Sequence, residues 1–240
     1  MTMAEPADRV ARYRAATARV LDRIADACDR VGRDPGTVAL VAVSKTVPAE
    51  ALRDAVSAGL ERFGENRVQE AAAKVPLVAA GRWELVGPLQ SNKVRRAVEV
   101  FDAVESIDSV VIGARVARAA AELRPGFAYP VLLQVNVDDD PSKAGIPPGD
   151  VADAGRRLAE LDGLEIRGLM TIGRLVATAE AARPTFRRLR RLRDRLLDEG
   201  VPIGSDLSMG MTDDFEVAVE EGATIVRVGR AIFGDRPIPG

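Results

Sequence analysis

The sequence contains no histidine and only one cysteine, Cys28. The first absence removes Ser-His-Asp and Cys-His nucleophile systems and nearly every zinc site, so proton transfer must fall to Lys, Tyr, Asp, Glu or a cofactor. The second rules out an internal disulfide, which suits a reducing compartment. Cys28 lies in RIADACDRVG, where it reads as a small buried hydrophobe. Basic and acidic side chains nearly cancel, at 34 against 36, so no net charge draws the chain towards nucleic acid or an anionic membrane. No apolar run approaches the ~20 residues that span a bilayer. The charged start, MTMAEPADRVARYR, lacks the apolar core of a signal peptide. The expectation is a soluble, cytosolic protein without a metal site.

What is present is a regular alternation. Residues 6–31 are predicted as a first helix, and Pro35-Gly36 then breaks the chain before VALVAVS at 38–44. Further strand candidates are 60–65, 83–87, 102–106, 130–137, 164–172, 206–210 and 223–229. Helical patterning fills 49–58, 67–79, 109–123, 149–161 and 177–199 between them, and DDDPSKAGIPPGD (138–150) reads as a long loop. Alternating β and α segments predict a parallel sheet. Eight strands favour a (β/α)8 TIM barrel with an extra N-terminal helix, against a doubly wound open sheet. No glycine-rich dinucleotide fingerprint follows the first strand, which weighs against the open sheet. In ARPTFRRLRRLRDR (182–195), Phe186, Leu189, Leu192 and Leu196 repeat at helical spacing. The arginines there form the outer face of an amphipathic helix rather than a nucleic-acid surface.

Reactive groups of a barrel gather at the C-terminal strand ends. Here those ends carry Ser44-Lys45, Glu65-Asn66, Gln90, Ser106, Asn136, Met170-Thr171, Ser208 and Arg227-Gly229. Alternation puts Lys45 on one face with Ala39, Val41 and Val43, and Arg227 on one face with Ala223, Ile225 and Gly229. SMGMTDD (208–214) and VGRAIFG (228–234) each join a glycine to a helix start, as in the phosphate cradle after strands seven and eight of many barrels. A lysine at the first strand end, an anion cradle at the last two and an arginine between them suit pyridoxal 5′-phosphate (PLP). A lysine with apolar walls and a facing arginine has its charged form disfavoured, and a neutral amine can hold the cofactor aldehyde as a Schiff base. By position alone, Lys45 is equally a snorkelling or salt-bridged rim residue. A phosphosugar barrel enzyme would also use such a lysine.

VALVAVSKTVP, FGENRVQE, WELVGPLQSNK, ESIDS, VLLQVNVDDDPSKAG, GLMTIG and LSMGMTDDFEVAVEEGATIVRVGRAIFG together resemble the pyridoxal phosphate homeostasis family (YggS/PROSC type) from about residue 8 to 236. The resemblance implies a single PLP-binding barrel domain over residues 1–240, of fold-type III, like the N-terminal domain of alanine racemase. By position it implies Lys45 as the covalent Schiff-base residue, Arg227 facing the pyridine nitrogen, and Ser208 with the Gly229 and Arg230 backbone at the phosphate. The resemblance likewise implies that Asn66 and Met170 line the ring. It further implies a monomeric cytoplasmic carrier that stores PLP, without catalytic turnover, with apo PLP-dependent enzymes as candidate acceptors. The alternative is a small amino-acid racemase of weak activity. Racemases of this fold use a tyrosine from a second domain, and the tyrosines here are Tyr13, in the first helix, and Tyr129, expected on the wrong face of the barrel. Three positions depart from the family pattern: Glu84 and Pro88, which are often histidines, and Arg230, which is usually a small hydroxyl residue. Arg230 would then either meet the phosphate with its charge or point into solvent.

Overall fold

A computed structural model of the chain describes residues 6–78, 80–174 and 176–234. The eight strands are β1 (Ala39–Val43), β2 (Arg62–Glu65), β3 (Arg82–Leu85), β4 (Ala103–Ile107), β5 (Tyr129–Gln134), β6 (Leu164–Met170), β7 (Asp206–Ser208) and β8 (Ile225–Val228). They pair in parallel in chain order, and β8 returns to β1 with Ile225–Val228 against Ala39–Ala42, so the barrel closes and the open-sheet alternative falls. The helices between them are α2 (Ala49–Ser57), α3 (Val68–Val78), α4 (Val94–Val100), α5 (Val110–Leu123), α6 (Val151–Ala159), α7 (Arg183–Asp198) and α8 (Phe215–Glu220). Two more flank the barrel units, the N-terminal α1 (Pro6–Asp29) and the short α9 (Arg230–Phe233) that follows β8.

Two apolar clusters result from the alternation along each strand. The larger lies between strands and helices and includes Phe63 stacked on Trp83, with ring centroids 5.0 Å apart. The smaller is Val41, Val86, Leu132, Met170 and Ile225, the inward-facing filling of the barrel. Helix α1 packs across α2, α8 and α9, the helices that flank the β8–β1 closure. Arg9 reaches Asp54 and Glu50 of α2, and Arg23 and Arg30 reach Glu216 and Glu220 of α8. The extra helix therefore straps the seam where the chain closes on itself. In α7, Phe186, Leu189, Leu192 and Leu196 are buried as their spacing predicts. Its arginines do not form an open basic face: Arg183, Arg187 and Arg190 converge on Glu221, and Arg188 pairs with Asp138. The β5–β6 register shifts beside Gly168, whose φ of +151° and 2.1 Å gap from a Cβ position to the Asp206 carbonyl admit no side chain. No helix among the described residues is long and apolar enough to cross a membrane.

Candidate functional site

A cavity of about 760 Å³ opens at the C-terminal ends of the strands. Its wall includes Lys45, Asn66, Arg227, Gly229 and Arg230, five of the seven residues expected there. Met170 and Ser208, the other two, are fully buried and absent from that wall. Met170 belongs to the barrel filling below, and Ser208 is tied to Arg227. Of the other strand ends, Ser106 donates to the Gly87 carbonyl, Thr171 to the Val135 carbonyl, and Asn136 to the Asp140 carbonyl; Gln90 is exposed. These groups stabilise loops at the barrel mouth.

Each side of the cavity has its own construction. Strand β1 stops at Val43, and Lys45 stands half-buried in the turn that follows. Asn66 follows β2, and its backbone is pressed against Gly87: a Cβ there would lie 2.3 Å from the Asn66 carbonyl oxygen. Across the barrel, the Gly229 amide donates to Thr212 Oγ1 at 3.4 Å, and both residues line the cavity. Arg230 is paired with Asp213, with both side chains more than half exposed, which places it at the rim.

Arg227 is the buried charge of the site, 4% exposed. It donates to the Thr171 carbonyl at 2.7 Å and to Ser208 Oγ at 2.5 Å, and Ser208 in turn donates to Glu105 Oε2. Glu105 Oε1 is buried with no hydrogen-bond donor. The carboxyl nearby is Glu84, which accepts from Arg62 and Arg82 at 2.7–3.0 Å. Burial and the Glu84 charge push the Glu105 carboxyl up to about 8. Burial also opposes the charge of Glu84, but the Glu105 hydrogen bond and the two guanidiniums outweigh it and hold Glu84 below the ordinary range. A proton on Glu105 Oε1, donated to Glu84, satisfies the orphan oxygen. The pair then shares one proton, as close carboxyls in a dry interior do. Glu105 thus offsets little of the Arg227 charge at neutral pH, and Asp214 is the other acidic group whose field acts on the guanidinium.

Wall residues that the sequence reading did not assign include Tyr13, Thr212 and Phe233. Thr212 lies inside the SMGMTDD segment already singled out. Tyr13 is brought to the wall by the α1 strap, its ring edge-on to Phe233 at 5.5 Å, a long-range contact with no local signature. Tyr129 is fully buried behind the barrel and donates to the Phe101 carbonyl at 2.9 Å. Among the described residues, no group of three or more acidic or cysteine side chains is arranged to hold a metal ion.

The family model described as "Alanine racemase, N-terminal domain" matches residues 19–237. The pyridoxal phosphate homeostasis protein of Pseudomonas aeruginosa is 45% identical over 223 residues, covering 91% of this chain and 94% of that one. A solved structure of a protein of unknown function from Bifidobacterium adolescentis superposes with a TM-score of 0.87 at 38% identity, covering 97% of this chain and 98% of that one. The structure of PipY from Synechococcus elongatus with PLP bound superposes with a TM-score of 0.78 at 41% identity, covering 90% and 100% of the two chains.

Proposed function

The chain belongs to the family of pyridoxal phosphate homeostasis proteins, and on that premise we propose that it binds PLP in the cavity and serves intracellular PLP homeostasis as a store and carrier. The observation that carries the reading is one cavity walled by a lysine, a buried arginine, and a backbone amide beside a hydroxyl. That donor set fits the cofactor: an amine for its aldehyde, a guanidinium for its ring nitrogen, and neutral donors for its phosphate. When bound, PLP supplies an aldehyde with which the Lys45 amine condenses to a Schiff base, one water leaving. Arg227 would donate to the ring nitrogen and, since a guanidinium does not release its proton, keep that nitrogen unprotonated. The Gly229 and Arg230 amides would hold the phosphate with Thr212, whose hydroxyl substitutes for the one absent at position 230. Asn66 would line the ring. Met170 would support it from the layer below, and Ser208 would act through Arg227. We further propose a monomeric cytoplasmic protein without catalytic turnover, built as one barrel domain.

The test is the absorption spectrum of purified protein titrated with PLP, beside Lys45→Ala. The expected result is a visible band in the wild type that Lys45→Ala loses. A wild type that stays colourless with added PLP overturns the reading. Tyr13 on the cavity wall favours one second reading, a weak amino-acid racemase, because a phenol there could exchange an α-proton. Loss of deuterium from an α-deuterated amino acid in the presence of the loaded protein would establish it; retention supports the carrier.

A further inference from the structure

The turn that presents Lys45 is held by a buried ionic cluster that takes no part in the cavity wall. Thr46 has a φ of +68°, a left-handed backbone. Asp139 is the other non-glycine described residue with positive φ, and aspartate tolerates that region where a β-branched residue does not. The conformation at Thr46 must therefore be imposed from outside. Its amide donates to Glu70 Oε1 at 2.6 Å. Glu70 is gripped in turn by Lys74, one turn further along α3, at 2.7 Å. The Lys74 side chain is 9% exposed, and its three N–H donors are all spent: on Glu70, on Glu65 Oε1 at 2.8 Å and on the Ser44 carbonyl at 2.9 Å. Ser44 Oγ completes the circuit by donating to Glu65 Oε1 at 2.7 Å. One ammonium thus fixes Ser44 on one side of Lys45 directly and Thr46 on the other through Glu70.

We propose that Lys74 and Glu70 are positioning residues for Lys45: by holding the peptide groups on either side of it, they impose the left-handed turn that aims its side chain into the cavity. The inference rests on the reading of Lys45 as the covalent residue. It requires no contact between the cluster and PLP. The cluster acts on backbone direction and hence on how readily the amine reaches the aldehyde, not on phosphate or ring binding.

Two readouts test it on the full chain, one without PLP and one with it. In Glu70→Ala, hydrogen exchange at the Thr46 amide of the cofactor-free protein should accelerate at least about tenfold, since its acceptor is gone. The rate of PLP capture, followed by the visible band, should fall about tenfold, the size of the penalty for a left-handed L-residue. Glu70→Gln keeps an acceptor oxygen and should capture PLP within about threefold of wild type. Adding Thr46→Gly to Glu70→Ala should restore most of the rate, because glycine adopts positive φ without help. Glu70→Ala with wild-type exchange and wild-type capture would overturn the proposal, as would failure of Thr46→Gly to recover a lost rate. If Lys45→Ala captures PLP with an unchanged visible band, the covalent reading itself fails and the positioning role falls with it, whatever the exchange shows.

Discussion

Glu105→Gln should make the protein more stable, by an amount that depends on pH. Glu105 is fully buried, and its carboxyl is pushed from an ordinary 4.5 up to about 8. In the unfolded chain the group ionises above pH 4.5; in the folded protein it must keep its proton until about pH 8. An acid raised in this way contributes full stability below pH 4.5, and that contribution is lost as pH rises towards 8. At pH 7 the loss is about 3 kcal/mol, taking 1.36 kcal/mol for each tenfold change in proton affinity. Glutamine avoids it. Its amide N–H can donate to Glu84 as the protonated carboxyl does, and its oxygen can accept from Ser208. Urea denaturation of both proteins at several pH values gives the comparison directly. The gap should be near zero at pH 4.5, reach about 3 kcal/mol at pH 7 and level off above pH 8, which is roughly 6–12 °C in melting temperature at neutrality for a chain of this size. A variant less stable at every pH would refute the reasoning. It would mean that Glu105 is ionised and neutralises Arg227, 3.9 Å away.

Two further predictions concern the frame around the cavity. Gly87→Ala drives a methyl group into the Asn66 backbone at 2.3 Å, and neither backbone can yield cheaply. It should cost about 2 kcal/mol or more in a thermal melt and weaken PLP binding through Asn66; a variant unchanged in both would refute that contact. Glu221→Gln removes the buried carboxylate on which Arg183, Arg187 and Arg190 converge. Urea denaturation should show a loss of about 2 kcal/mol, smaller in high salt, and a change under about 0.5 kcal/mol would mean that solvent already screens the cluster.

The barrel was legible because its signal is repetition: eight short apolar runs, with helical patterning in five of the seven gaps between them, leave few alternatives. Strand ends were less so. The fifth strand, expected over 130–137, ends at Gln134, because Val135 leaves to bridge Ile146 and the Asn136 side chain anchors the following loop. Alternation placed Arg227 correctly, since it lies inside β8. For Lys45 the same rule reached the right cavity by the wrong route. The strand stops at Val43, and a turn with left-handed Thr46 carries the lysine to the cavity wall. Pattern gives the face of a residue but not its height in the barrel, so it could not separate Met170 and Ser208 from the wall above them. The Glu84–Glu105 pair spans two strands, and only three-dimensional pairing makes one carboxyl hold the other's proton.

That shared proton bears on whether the protein carries PLP or uses it. An enzyme that withdraws electrons into the pyridine ring gains from protonating the ring nitrogen. On the proposed reading the nitrogen faces Arg227, and Glu105, the buried carboxyl behind it, is neutral. A pyridinium there would meet the Arg227 guanidinium, with Asp214 as its remaining acidic neighbour. Two such charges ~4 Å apart at an effective dielectric near 20 repel by about 4 kcal/mol, which disfavours protonation roughly a thousandfold. Had Glu105 been ionised, much of that penalty would vanish. By taking Glu105 out of the charge balance, Glu84 keeps the ring a poor electron sink. A protein that must hold a reactive aldehyde while leaving the amino acids around it unprocessed has use for that arrangement.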